Sequence, residues 1–183
     1  MKKITTLLLI LTTTYYNCTA QQYFTKNGFI SFFSSAMLED IKADNNQVIS
    51  VIDATTGDIR FSLLNNAFRF KKALMEEHFN ADYMESAKYP KSAFNGKISN
   101  IGSVDFSNDG VYTVSVTGDI SVHGVTKNIT VPATITVKAG KIKAAAVFKI
   151  KVKDYNISIP STVKNNIAEF IEITVNCNYD KRN

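Results

Sequence analysis

From Tyr112 onward, apolar and polar residues alternate with a period of two. Tyr112, Val114, Val116, Ile120 and Val122 share one register, and Thr113, Ser115, Thr117, Asp119, Ser121 and His123 share the other. Successive side chains of a strand point to opposite faces, so this alternation predicts a half-buried strand. The pattern returns three times. Ile129, Val131, Ile135 and Val137 oppose Thr130, Thr134 and Thr136; Ile142, Ala144, Ala146, Phe148 and Ile150 oppose Lys143, Ala145, Lys149 and Lys151. Ile171, Ile173, Val175, Cys177 and Tyr179 then oppose Glu172, Thr174, Asn176 and Asn178. Lys138-Ala139-Gly140-Lys141 predicts a hairpin turn with glycine where a positive φ is needed, and Asn108-Asp109-Gly110 predicts another turn.

The first half of the chain adds β-rich runs over 29–34, 48–53, 59–64 and 94–99, with turn signals at Asn45-Asn46 and Thr55-Thr56-Gly57-Asp58. Strands with one apolar and one polar face make an antiparallel sheet that is wet on one side. About eight of them suffice to curl that sheet into a barrel, which removes exposed edges. A two-sheet sandwich is the other closure, and the pattern alone does not separate the two. The β pattern breaks once. Lys71–Asn80 holds good helix formers with no glycine or proline, and Leu74/His78 and Met75/Phe79 lie four apart. A helical insertion over about 71–86 is expected, ended by Tyr89-Pro90, which restarts extended chain. Its apolar residues either pack on the core or form a lid over a cavity.

The composition narrows the class. The 183 residues suit one domain, and 45% apolar content can supply a core. Twenty-one basic residues against 16 acidic ones give +5; without Lys2 and Lys3 the balance is 19 against 16, or +3. The lysines are scattered along strand faces with no basic patch interleaved with aromatics, so nucleic acid is not expected as a partner. Lys2-Lys3, the short apolar run Ile4–Leu11 and Cys18-Thr19-Ala20 have the layout of a signal peptide cleaved after Ala20. The run falls well short of the ~20 residues of a membrane span. The expected organisation is therefore a leader over 1–20 and a single domain over 21–183, located in the periplasm or secreted. Cys18 admits a second reading as a lipidated cysteine, which bulky Tyr15, Tyr16 and Asn17 before it disfavour. After cleavage Cys177 is the only cysteine, on an apolar register, so an inert packed thiol and no internal disulfide are expected.

Reactive constellations are sparse. His78 and His123 are the only histidines, and no HExxH spacing or Gly-x-Ser-x-Gly elbow occurs. His123, before Gly124, is read as a hydrogen-bonded turn histidine. Glu76/Glu77 and Glu39/Asp40 are neighbours in sequence and read as solvated charges. No catalytic residue, metal site or cofactor is expected.

Three stretches carry a resemblance. They are Met84-Glu-Ser-Ala-Lys-Tyr-Pro-Lys-Ser-Ala-Phe94, Val116-Thr-Gly-Asp-Ile-Ser-Val-His-Gly-Val-Thr-Lys127 and Asn128-Ile-Thr-Val-Pro132. In order and spacing they resemble the YceI-like family of periplasmic or secreted lipocalin-like barrels, over roughly Tyr23 to Tyr179. Ile120 stands where the family usually has leucine. Glu77-His78-Phe79-Asn80 with Tyr83 and Ser86 resembles the branch found in Bacteroidetes-like bacteria. The resemblance implies an all-β antiparallel barrel that holds, carries or sequesters a long-chain amphiphile, such as a polyisoprenoid, without transforming it.

The expected apolar lining is then Leu74, Met75, Phe79 and Met84 from the helical insertion, with Phe94, Tyr112, Val114 and Val116. Ile135, Ala144, Ala146, Phe148, Ile171 and Ile173 from the later strands complete it. Ala144 and Ala146 leave room either for a guest or for a neighbouring aromatic ring. His78, Asn80 and Tyr83 are the candidate head-group contacts. The partner expected is the amphiphile, with transient membrane contact and a monomer or dimer both left open. A solid-cored structural or interaction barrel of the cell envelope is the alternative.

Overall fold

A computed structural model describes residues 21–182, and the expected signal peptide, with Cys18, lies outside the described residues. The strands are β1 (Gln22–Ser35), β2 (Asp40–Asp53), β3 (Asp58–Leu64), β4 (Arg69–Phe70), β5 (Lys91–Ile98) and β6 (Gly110–Val122). They continue with β7 (Val125–Lys138), β8 (Lys141–Lys151) and β9 (Phe170–Lys181). The antiparallel order β1-β9-β8-β7-β6-β5-β3-β2 is closed by pairing of β1 with β2. Eight strands thus form a barrel, not a sandwich, and the two-residue β4 pairs only with Ala43 and Asp44 of β2.

The hairpins follow from local backbone chemistry. β6 and β7 are joined by His123-Gly124, with φ of +50° and +74°, and β7 and β8 by Ala139-Gly140, with +49° and +74°. Two positive φ values in a two-residue loop match the right-handed twist of the flanking strands. Asn45-Asn46 behaves differently from its expectation as a turn, because β2 runs through it. Buried Asn45 accepts from the Gln47 amide at 2.8 Å and donates to the Leu64 carbonyl at 3.1 Å. Its side chain takes over hydrogen bonds that the ladder drops where the β1–β2 register shifts.

The insertion is helical in two steps. An α-helix, α1 (Ala73–His78), passes into a π-helical turn over Phe79–Tyr83, and the chain leaves through Glu85 at φ +42°. Such π turns are frequent at functional sites. The other long connection, between β8 and β9, carries short 3-10 turns at Val152–Tyr155 and Ser161–Asn166.

The barrel's two halves are filled differently. Tyr23, Ile52, Ile98, Ile135, Ile142, Cys177 and Tyr179 meet in one buried cluster at the end holding the β7–β8 turn. At the other end the inward residues surround empty space.

Candidate functional site

That space is an apolar cavity of about 380 Å³. Its walls are the inward registers of the strands, including Phe61, Phe94, Val116, Val131, Phe148 and Ile173. Phe94 lies flat against the wall because Gly96 and Gly118 face each other across the β5–β6 ladder. A Cβ on Gly118 would lie 2.3 Å from the Gly96 Cα and 2.8 Å from the Phe94 ring, so no larger residue fits there. The ceiling consists of two segments: 75–84 from the helical insertion, and 157–167 from the β8–β9 connection, with Ile157, Ile159, Val163 and Ile167 turned inward.

Pairing explains why the second segment is needed. The β7–β8 ladder stops at Ala133/Ala146, and Pro132, which has no amide hydrogen to give, sits at that limit. Beyond it the two strands diverge in partner, β8 pairing onward with β9 alone.

Two devices hold the ceiling in place. The Phe79 ring of the π turn stacks on Phe32 at 5.4 Å and meets Phe68 and Phe70 at 5.6 and 5.1 Å. Edge and offset contacts at such distances add to the area they bury. The other device is His123, which is buried. One ring nitrogen lies 3.0 Å from the Tyr155 carbonyl and the other 2.8 Å from the Glu85 carboxylate, while the ring packs edge-on against Tyr89 at 4.5 Å. The β6–β7 turn is thereby tied to the exit of the helical insertion and to the entry of the 152–167 connection. His123 is indeed a hydrogen-bonded turn histidine, but an enclosed one that joins both ceiling segments.

Polar groups in the cavity wall are spent on the protein itself. Ser34 Oγ accepts from the Ala168 amide at 2.8 Å. Asn65 donates to the Tyr89 carbonyl and accepts from Ser92 Oγ, both at 2.7 Å. Satisfied groups of this kind carry little desolvation penalty when hydrocarbon lies beside them. Among the described lining side chains the ionisable ones are Glu39, His78 and Tyr83. Glu39 pairs with Lys72 at 2.6 Å and His78 Nδ1 with Asp82 at 2.7 Å. Tyr83 is held above its ordinary range, first by burial and then by the Asp82 charge, so its hydroxyl stays neutral at physiological pH.

Of the side chains expected from sequence, Met75, Phe79, Met84, Phe94, Val116, Ala144, Ala146, Phe148, Ile171 and Ile173 line the cavity, and so do His78 and Tyr83. Leu74 does not; it is on the solvent side of α1. Tyr112, Val114 and Ile135 belong to the packed cluster, because the alternation that turns them inward does not say at which height the barrel is hollow. Asn80 turns away from the cavity to the Glu76 carbonyl and Ser86. Phe32, Phe61 and the 157–167 segment were missed. The inward register of Ile30, Phe32 and Ser34 could have revealed the first, and the alternation of Ile157 and Ile159 before Pro160 the last. Among the described residues no group of three or more His, Cys, Asp or Glu could hold a metal ion, and no helix is long and apolar enough to cross a membrane.

Comparison with known proteins adds to this geometry. The model of a family described as the YceI-like domain matches residues 18–179. A polyisoprenoid binding domain from Saccharophagus degradans, implicated in plant cell wall breakdown, superposes with a TM-score of 0.78 at 15% identity, covering 90% of this chain and 100% of that one. BcnA of Burkholderia cenocepacia gives 0.69 at 17% identity over 84% of this chain and 96% of its own. The YceI protein of Campylobacter jejuni gives 0.52 at 18% identity, over 100% and 99%. At these identities the likeness shows a shared fold. No curated protein sequence matches the chain.

Proposed function

The chain belongs to the YceI-like family, and we propose that it binds the hydrocarbon of a long-chain amphiphile in the hollow half of its barrel. The observation that carries this is a cavity of about 380 Å³ whose wall offers almost only carbon, with Ser34, Asn65 and Ser92 already hydrogen-bonded within the protein. Scaling from the ~150 Å³ void that takes one benzene, it has room for on the order of fifteen carbons. Each buried CH₂ contributes about 0.8 kcal/mol, so a chain of that length supplies ample driving force without a single polar contact. A polyisoprenoid is the ligand class we favour, as in the structural relative from Saccharophagus degradans. A longer chain would extend past the ceiling, with its head group at the rim near His78 and Tyr83.

Binding without catalysis is the reading that the chemistry favours. Glu39 is held in an ion pair with Lys72, the Tyr83 hydroxyl stays neutral and the Ser92 hydroxyl is donated to Asn65, so the described lining side chains offer no activated nucleophile. The leader-like N-terminus supports export to the periplasm or beyond, where such a protein would hold, carry or sequester its lipid. Organic extraction of natively purified protein followed by mass spectrometry should yield one long-chain amphiphile in near-stoichiometric amount. Readdition at 100 times its Kd should stabilise the emptied protein by about 2.7 kcal/mol. A clean extract, with no rise in Tm when prenols or fatty alcohols are added, would overturn the proposal.

A further inference from the structure

Among the described residues, the four most exposed large apolar side chains are Met37 at 87%, Val111 at 71%, Leu38 at 68% and Leu74 at 63%. Val111 stands alone near the packed end, opposite Thr136. The other three border the cavity opening. Met37 and Leu38 occupy the β1–β2 connection, directly before Glu39, which lines the cavity; Leu74 adjoins Met75, which also lines it. The Lys72–Glu39 pair at 2.6 Å bridges those two segments, and the Leu38 amide donates to the Asn165 carbonyl at 3.2 Å, beside the lining residue Asn166. Single exposed apolar residues need no explanation, but three gathered on adjoining segments at the mouth of an apolar cavity do.

We propose that this rim is a docking surface for a lipid bilayer, with Met37, Leu38 and Leu74 inserting at the headgroup–acyl boundary so that the amphiphile enters without crossing water. The proposal rests on the binding function above. The occupant follows from continuity: the apolar rim runs directly into the apolar cavity, and a bilayer is the one partner that continues the same solvent. Charge defines the kind of surface. Arg69–Glu76 and Lys72–Glu39 neutralise one another at the rim, and exposed Lys71 is outweighed by Asp40, Glu77 and Asp82. With no excess of basic charge among these described side chains, polybasic attraction to anionic headgroups is not what draws the rim to a bilayer. Apolar insertion then dominates, and it is insensitive to salt.

The test uses the whole purified chain with phosphatidylcholine vesicles, with and without phosphatidylglycerol, in a flotation assay, compared with the M37S/L38S/L74S variant. Wild type should float with both vesicle types at low and high salt, and the variant about tenfold less, because it has lost its apolar anchors. These side chains are exposed, so the variant should keep the wild-type Tm and the wild-type uptake of geranylgeraniol delivered from dilute ethanol. Its uptake of geranylgeraniol from vesicles should slow in proportion to the lost flotation. Wild type remaining free of vesicles, or the variant floating equally, would overturn the proposal. A wild-type dimer that the variant dissociates, without vesicle binding, would overturn it in favour of a second copy as the occupant. Failure of geranylgeraniol uptake from ethanol by both proteins would count against the binding function itself, separately from the flotation result.

Discussion

The two halves of the barrel are built from the same strands and the same alternation, yet one is solid and the other hollow. At the solid end Tyr23, Ile52, Ile98, Ile135, Ile142 and Tyr179 fill the interior. A polar thread through it is saturated: Tyr179 lies 2.7 Å from Ser50, and Ser50 donates to the Arg60 carbonyl at 2.8 Å. At the hollow end small residues such as Ala146, and rings such as Phe94 laid along the wall, leave the axis empty. Period-two patterning decides which side chains point inward, whereas volume decides what the inside becomes. Stability is concentrated at one end, leaving the other free to stay empty and receive a guest.

The largest effect should separate the halves by truncation. Ile52→Ala in the solid half is expected to cost about 2–5 kcal/mol, since a packed site cannot collapse onto the void. Ile173→Ala in the hollow half should cost less than half as much in ligand-free protein, where the side chain already borders empty space. Urea unfolding of both variants checks this, and equal losses would erase the distinction between the halves.

A pH titration sharpens the solid half next. Burial pushes the Cys177 thiol up to about 11 from its ordinary 9, and burial also raises the Tyr179 phenol well above its usual range. Both groups are neutral when protonated, and the folded state keeps the proton longer than the unfolded chain does. Their contribution is therefore fully present below pH 9 and is lost as pH rises toward 11 and beyond. The thiol alone accounts for about 2–3 kcal/mol of that loss by pH 11. Unfolding free energies from pH 8 to 11 should show the decline, and Cys177→Ala should make it shallower.

The ceiling comes third. His123→Ala leaves the Tyr155 carbonyl and the Glu85 carboxylate without their shared partner, a loss of about 1–3 kcal/mol. Hydrogen exchange should rise together in 73–84 and 152–167, because one ring holds both. A rise in only one segment would break that link.

The smallest effect on stability should accompany the largest on binding. Ala146→Phe places a ring in the cavity and should change unfolding by less than about 1 kcal/mol while abolishing uptake of a prenol. Ala144→Phe, where the solid core begins, should be overpacked by about 1–3 kcal/mol.

The barrel was legible because its strands alternate cleanly and its two shortest hairpins carry glycine at their second position, where φ is +74°. The helical insertion was legible from helix formers bounded by Tyr89-Pro90, though its change to a π turn at Phe79 was not, since hydrogen-bond register within a helix leaves little trace in composition. Most of the lining followed from inward register. Tyr112, Val114 and Ile135 show where that logic ends: they point inward like Ala146 and Phe148, and only the meeting of strands at a given height decides that they pack together. Asn45-Asn46 misled for a related reason, because a turn-forming side chain can equally replace ladder hydrogen bonds inside a strand. The enclosure of His123 depends on Glu85 and Tyr155, residues 38 and 32 positions away in the chain, which no local pattern could bring to it.

Hydrocarbon is expected to occupy the hollow half of the barrel and not the solid one. Photo-crosslinking with a long-chain alcohol carrying a diazirine near its tail, read by peptide mass spectrometry, tests it most directly. Adducts should fall on cavity residues such as Ala146, Phe148 and Ile173, and Ala146→Phe should abolish them. Adducts confined to the outer faces of the strands, or unchanged in the Ala146→Phe variant, would contradict the claim.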